Sequence, residues 1–167
     1  MDLESQWVAG FVDGEGCFHV EINPNKTMQT GYQVLPSFIV SQHSRSENVL
    51  YALKDLFQTG VVRKESNRKG ETGRQYRVRN FNDLQTKIIP FFEKHDLKTS
   101  KKIDFVKFRY ICILMARKEH LTYEGILKIN KIALTMNGSG TKKVLNLPDL
   151  SKKSTLQSPN DLDLKDD

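Results

Sequence analysis

Apolar positions along this chain fall into two spacings, and the switches between them mark the elements. Leu3, Trp7, Gly10 or Phe11, and Gly14 recur at the spacing of one helical face, with Asp2 or Ser5 available to cap its start. Strict alternation follows at once, with Phe18, Val20 and Ile22 on one side and His19, Glu21 and Asn23 on the other, the pattern of a half-buried strand. Pro24-Asn25-Lys26 opens a turn. A second strand is predicted over residues 32–42, with Tyr32, Val34, Phe38 and Val40 on one face and Gln33, Leu35, Ser37 and Ile39 on the other. Pro36 has no N–H for a ladder, so it implies an edge or a bulge.

Helical spacing returns after Ser44 or Ser46, with Val49, Leu50, Leu53, Leu56 and Phe57 on one stripe and Thr59-Gly60 as the stop. Strands are expected over residues 61–66 and 75–80, joined by a glycine-bearing charged loop; Tyr76 and Val78 point in, while Gln75, Arg77 and Arg79 point out. A helix over residues 81–95 completes an α-β-β-α-β-β-α order. Two more helices follow. One opens after Leu97-Lys98-Thr99-Ser100 and runs to about residue 118, with Ile103, Val106, Tyr110, Ile113 and Leu114 on its core side; Thr122 caps another to about residue 136. The class is α+β with an antiparallel sheet. Residues 1–137 read as one domain, residues 138–150 as an irregular extension, and residues 151–167 as a polar, charged tail expected to be flexible.

With 167 residues, 38% of them hydrophobic, one domain with a core of its own is expected. Cys17 and Cys112 lie far apart without metal-ligand spacing, so they read as small apolar residues in a reducing intracellular compartment. No apolar stretch reaches membrane length and no signal peptide is evident, so no membrane partner is expected. The net charge of +6 favours a polyanionic partner. Its placement is more telling: residues 61–79 hold seven basic and two acidic side chains, which suits a surface that tracks phosphates.

Chemistry concentrates in Val8-Ala9-Gly10-Phe11-Val12-Asp13-Gly14-Glu15-Gly16. Each glycine inside a helix costs about 1 kcal/mol against alanine, so Ala9, Gly10, Gly14 and Gly16 suggest close approach of another backbone. Asp13 and Glu15 fall at the helix C-terminus, where the macrodipole already leaves about −0.5 charge. A divalent cation would reverse that penalty, since carboxylates and free carbonyls are hard oxygen ligands suited to Mg²⁺. A helix C-cap with two solvated acids is the other reading that these residues allow.

The same nine residues, with Trp7 before them and Cys17-Phe18 after, resemble the signature motif of the LAGLIDADG homing endonucleases, and the predicted element order is similar to that family's fold. The resemblance implies a site-specific double-strand DNA endonuclease serving intron homing. It implies metal at Glu15, where many members carry aspartate, with the Gly14 carbonyl as a second ligand. Mg²⁺ is the expected cofactor, with Mn²⁺ able to substitute and Ca²⁺ binding without supporting cleavage. The motif occurs once, which implies a homodimer seamed along Trp7, Gly10, Phe11 and Asp13, reading a pseudo-palindromic site. Asp13 is expected to cap or brace the helix end, leaving cleavage to Glu15.

Further catalytic roles carried over by the resemblance fall on Gln42, within Val40-Ser41-Gln42, and on Lys98. An arginine expected a few residues after the glutamine aligns with Ser46, and the adjacent Arg45 is the available stand-in. DNA reading is assigned to outward strand and turn residues: His19, Glu21, Asn23, Asn25, Gln33, Leu35, Arg63, Glu65, Gln75, Arg77 and Arg79. About 13 Å of extended strand separates His19 from Glu15, so His19 is expected to contact bases and not to act as a general base. Two alternatives share the fold: a maturase that binds intron RNA, and a DNA-binding regulator without catalysis. The host compartment is left open between organelle and prokaryotic cytoplasm.

Overall fold

A computed structural model of the chain describes residues 1–64 and 73–138. Glu65, the distal part of the 61–66 strand, and the expected extension and tail lie outside the described residues. Helix α1 spans Ser5–Glu15, strands β1 and β2 span Gly16–Pro24 and Tyr32–His43, and helix α2 spans Glu47–Phe57 after a single 3₁₀ turn at Ser44–Ser46. Strands β3 (Val61–Lys64) and β4 (Gly73–Val78) follow. The next helical segment comprises α3 (Phe81–Asp83), a π-helical turn at Leu84–Ile88, and α4 (Ile89–Lys94); α5 (Lys101–Ala116) and α6 (Tyr123–Leu134) close the described chain.

The strands form one antiparallel sheet in the order β1-β2-β4-β3, with Gly16 opposite Val40, Phe38 opposite Val78, and Val62 opposite Tyr76. Period-two alternation divides the sheet as expected. Phe18, Ile22, Val34, Phe38, Val40, Tyr76 and Val78 lie in the core, where Phe18 meets Phe38, Phe92, Phe105 and Phe108 with ring centroids 5.2–5.5 Å apart. The β2–β4 ladder runs only from Phe38 to His43, so Pro36 sits where β2 has a partner on one side alone. No donor is lost there.

Chain reversal after α2 depends on backbone freedom. Gln58 is left-handed at φ 50° and Gly60 at φ 81°. A Cβ on Gly60 would lie 2.6 Å from the Tyr76 ring, so glycine satisfies both the conformation and the packing at that point. Tyr76 is held from beneath by donating its hydroxyl to the Thr59 carbonyl, 3.1 Å away.

Three expectations are corrected. On α5 the core face is Phe105, Phe108, Ile111, Cys112 and Leu114, whereas Ile103, Val106 and Tyr110 face outward; the helix carries apolar residues on two sides, and only packing selects between them. Leu56 is likewise exposed on α2. At the start of α1 the capping position is Glu4, with no side-chain cap from Asp2 or Ser5.

Candidate nucleic-acid interface

The register of β1 on β2 brings separate parts of the sequence to one end of the sheet. Glu15 is the residue before Gly16, which pairs with Val40, so Gln42 lies at the same end two residues further along β2. Asp13 ties the third part in. Its carboxylate accepts from the Lys98 N–H at 2.6 Å, the Thr99 N–H at 3.2 Å and the Thr99 hydroxyl at 2.8 Å, joining the end of α1 to the loop before α5. Asp13 therefore braces the helix end, and its acceptors are committed. Partial burial raises its carboxyl, but hydrogen bonds from Lys98 and Thr99, with the Lys101 charge, outweigh burial and hold it below the ordinary 3.8.

Glu15 differs from Asp13 in being exposed, and its carboxylate makes no hydrogen bond or ion pair among the described residues. The helix ends there with the Gly16 N–H on the Val12 carbonyl, and the chain turns into β1, so no helical N–H follows to take the Gly14 carbonyl. An uncommitted carboxylate beside helix-terminal carbonyls is a hard oxygen donor set, which fits Mg²⁺ or Ca²⁺. It is also incomplete: no cluster of three or more His, Cys, Asp or Glu that could hold a metal occurs among the described residues.

Lys98 extends into solvent with its side chain 76% exposed, its ammonium 3.7 Å from Asp96. Arg45 is exposed in the turn after β2, where its N–H donates to His43 Nδ1. A different arginine occupies the strand end. Arg74, opposite Gln42 on β4, donates to the Glu47 carboxylate at 2.7 Å and is partly buried. In the sequence Arg74 is one of seven basic residues in the 61–79 segment, and its position opposite Gln42 depends on a strand pairing that spacing does not reveal.

Of the small residues in the motif, Ala9 is buried in the chain's own core, and a Cβ on Gly16 would lie 2.5 Å from Val12. Only Gly10 and Gly14 face open space, with nothing within 4 Å of a Cβ placed on either. Trp7 lies beside them, 48% exposed and stacked on Phe11 at 4.9 Å. The strip that combines Trp7, Phe11, Gly10 and Gly14 is thus an apolar outer surface, and Asp13, expected on it, is drawn instead to Lys98 and Thr99 by their hydrogen bonds. Val8, Ala9 and Val12 on the opposite side anchor the helix.

Helices cover one face of the sheet; the other carries Cys17, His19, Glu21, Asn23, Gln33, Leu35, Ser37, Ile39, Ser41, Arg63, Gln75 and Arg77, by the observed register. Asn25 Nδ2 donates to Gln33 Oε1 at 3.2 Å, which ties the β1–β2 turn to this face. At its centre the Glu21 carboxylate lies 3.6 Å from Arg77, 3.5 Å from Arg79 and 3.5 Å from His19. Burial lowers the Arg77 guanidinium from its ordinary value, as do the Arg79 and Arg63 charges, with Glu21 and Cys17 opposing them. The guanidinium stays charged at any physiological pH. A dense positive floor built on strands, with mixed donors and acceptors around it, is suited to a nucleic-acid groove.

An α-β-β-α-β-β-α fold with one open basic sheet face and an acid at the end of its first helix is the arrangement of the homing endonuclease class of α+β proteins. The sequence model described as LAGLIDADG endonuclease matches residues 8–112, and the chain belongs to that family. It is 37% identical over 123 residues to the probable intron-encoded endonuclease 2 of Neurospora crassa, covering 74% of this chain and 25% of that protein. It is 30% identical over 129 residues to the DNA endonuclease I-CeuI of Chlamydomonas moewusii, covering 75% and 57%. The crystal structure of the homing endonuclease I-TnaI superposes with a TM-score of 0.78 at 53% identity, covering 84% of this chain and 92% of that one. I-SmaMI, solved bound to an uncleaved DNA target in the presence of calcium ions, gives 0.79 at 31% identity, covering 92% of this chain and 50% of I-SmaMI. The chain spans about a quarter of the length of the Podospora and Neurospora intron-encoded relatives it matches.

Proposed function

We propose that this protein is a site-specific, metal-dependent double-strand DNA endonuclease of intron homing, acting as a homodimer through its motif helix. The carrying observation is the contrast between the motif's two acids: Asp13 is consumed by Lys98 and Thr99, while Glu15 remains uncommitted at the sheet end shared with Gln42 and Lys98. A match to half of I-SmaMI supports pairing of two copies, and so does the outward strip of Trp7, Gly10, Phe11 and Gly14.

In this reading Glu15 and the Gly14 carbonyl would hold Mg²⁺, which would supply an activated water and offset charge on the leaving oxygen. Lys98, long and exposed, balances charge on the phosphate. The Gln42 amide orients water or a phosphate oxygen, and Arg74, held by Glu47, offers its remaining guanidinium donors at the same end. The outward strand residues hold the duplex in register, so that scission is confined to one site per strand and copy.

The test selects cleaved and bound sites from a randomised duplex library with wild type and Glu15→Gln, each in Mg²⁺ and in Ca²⁺. Wild type should cut a preferred duplex in Mg²⁺ and bind it intact in Ca²⁺, while Glu15→Gln binds without cutting in either. Wild type that binds a preferred duplex but never cuts it in Mg²⁺ refutes the nuclease reading. Equal cutting by Glu15→Gln refutes the metal assignment, and a DNA-bound mass of one chain refutes the homodimer.

A further inference from the structure

Three arginines, Arg63, Arg77 and Arg79, line a depression of about 280 Å³ with Thr59, Gly60 and Asn80 on the open sheet face. They differ in freedom. The Arg77 side chain is only 11% exposed, and its buried Nε has no hydrogen-bond partner among the described residues, so the stem is fixed and its donor set is unfinished. Glu21 reaches across from β1 to one terminal nitrogen of Arg77 and one of Arg79, leaving further donors on both guanidinium groups. Beside them the Ser37 hydroxyl is buried and likewise without a partner among the described residues.

A residue that merely neutralises phosphates needs no such fixing, because an exposed, mobile cation does that as well. A base edge requires a planar fork held at one angle. A carboxylate beside the fork also restricts what the fork reads: Arg77, Arg79 and His19 already lie 3.5–3.6 Å from the Glu21 oxygens, so the site is dominated by donors and an amino group of cytosine or adenine must compete with three cationic or donor side chains for Glu21. The acceptor pair of guanine, O6 and N7, matches donors without competing for Glu21.

We propose that Glu21 is a positioning residue that orients Arg77, with Arg79 beside it, to select guanine at one base pair of the target. This deepens the DNA-endonuclease reading and rests on it. Glu21 thereby departs from the direct base-reading role expected of an outward strand acid, and acts through its arginine partners.

The experiment selects bound sites from a randomised duplex library with wild type, Glu21→Gln, Arg77→Lys, Arg77→Met and the double variant Glu21→Gln/Arg77→Met, in Ca²⁺, with affinity followed against salt. Wild type should show a guanine preference of about tenfold or more at one position that Arg77→Met abolishes. Arg77→Lys should lose the same preference while keeping the salt dependence, because a lysine holds charge but no fork. Glu21→Gln should reduce that preference at least about threefold, and change nothing there on the Arg77→Met background. The proposal is overturned if Arg77→Lys keeps the guanine preference, if Glu21→Gln leaves the profile as in wild type, or if Glu21→Gln has the same effect with and without Arg77. Absence of any preference in wild type would instead remove the site-specific reading on which it rests.

Discussion

Replacing Asp13 by asparagine separates the bracing role of this acid from the metal role proposed for its neighbour. Three donors converge on the Asp13 carboxylate: the Lys98 and Thr99 N–H groups and the Thr99 hydroxyl. A hydrogen bond to a charged group contributes about 1.5–3 kcal/mol, and loss of a carboxylate that caps a chain start costs about 0.5–2 kcal/mol. Water refills part of this loss at a half-exposed site, and asparagine keeps one acceptor, so Asp13→Asn should cost about 2 kcal/mol and Asp13→Ala about 3. Urea slopes for domains of this size are about 1–3 kcal/mol per molar, so the midpoint should fall by about 1 M at fixed protomer concentration. The dependence on pH sharpens the test. Because the folded carboxyl lies below its ordinary 3.8, the stabilisation is complete above that value and is lost as pH falls through the lower folded one. The gap between wild type and Asp13→Asn should thus be constant from about pH 5 to 8 and close below about 3.8. A gap of under about 0.5 kcal/mol at neutral pH, or one unchanged at pH 3, would refute the reasoning.

The outward strip of α1 predicts a separation of folding from assembly. Gly10→Ala meets nothing within 4 Å, so the isolated chain should gain up to about 1 kcal/mol of stability while self-association, read by sedimentation, falls. Gly125→Ala is the contrasting case: its Cβ would lie 1.8 Å from the Glu119 carbonyl oxygen, and thermal denaturation should show a loss above about 2 kcal/mol. Burial pushes the Cys112 thiol up to about 12, so at pH 8 an alkylating reagent should modify Cys17 first and leave Cys112 unreacted until the chain unfolds, which mass spectrometry of the two peptides resolves.

The elements were legible in the sequence because period is a local property. Alternation from Phe18 to Ile22 and from Tyr76 to Val78 assigned strand faces that the sheet keeps, and Thr122 caps α6 through the Gly125 N–H as expected. The nine-residue motif made the family legible, since glycines and acids in that order at the end of a helix are an uncommon run that the family's signature shares. Bracing by Asp13 was also foreseen, although its partners were not.

Tertiary structure alone decided the rest, because it required distances between segments that no spacing encodes. Which side of α5 is buried was one such matter: Val106 and Phe108 are equally apolar, and only the position of the sheet selects Phe108. Pairing of Gln42 with Arg74, and the reach of Glu21 to Arg77 and Arg79, follow from a strand order in which β2 lies beside β4. By itself the sequence determined that two acids end the first helix. The fold decided that one of them is bound to Lys98 and Thr99 while the other stands uncommitted beside open carbonyls, since a carboxylate's partners are set by whatever folding brings within hydrogen-bond reach.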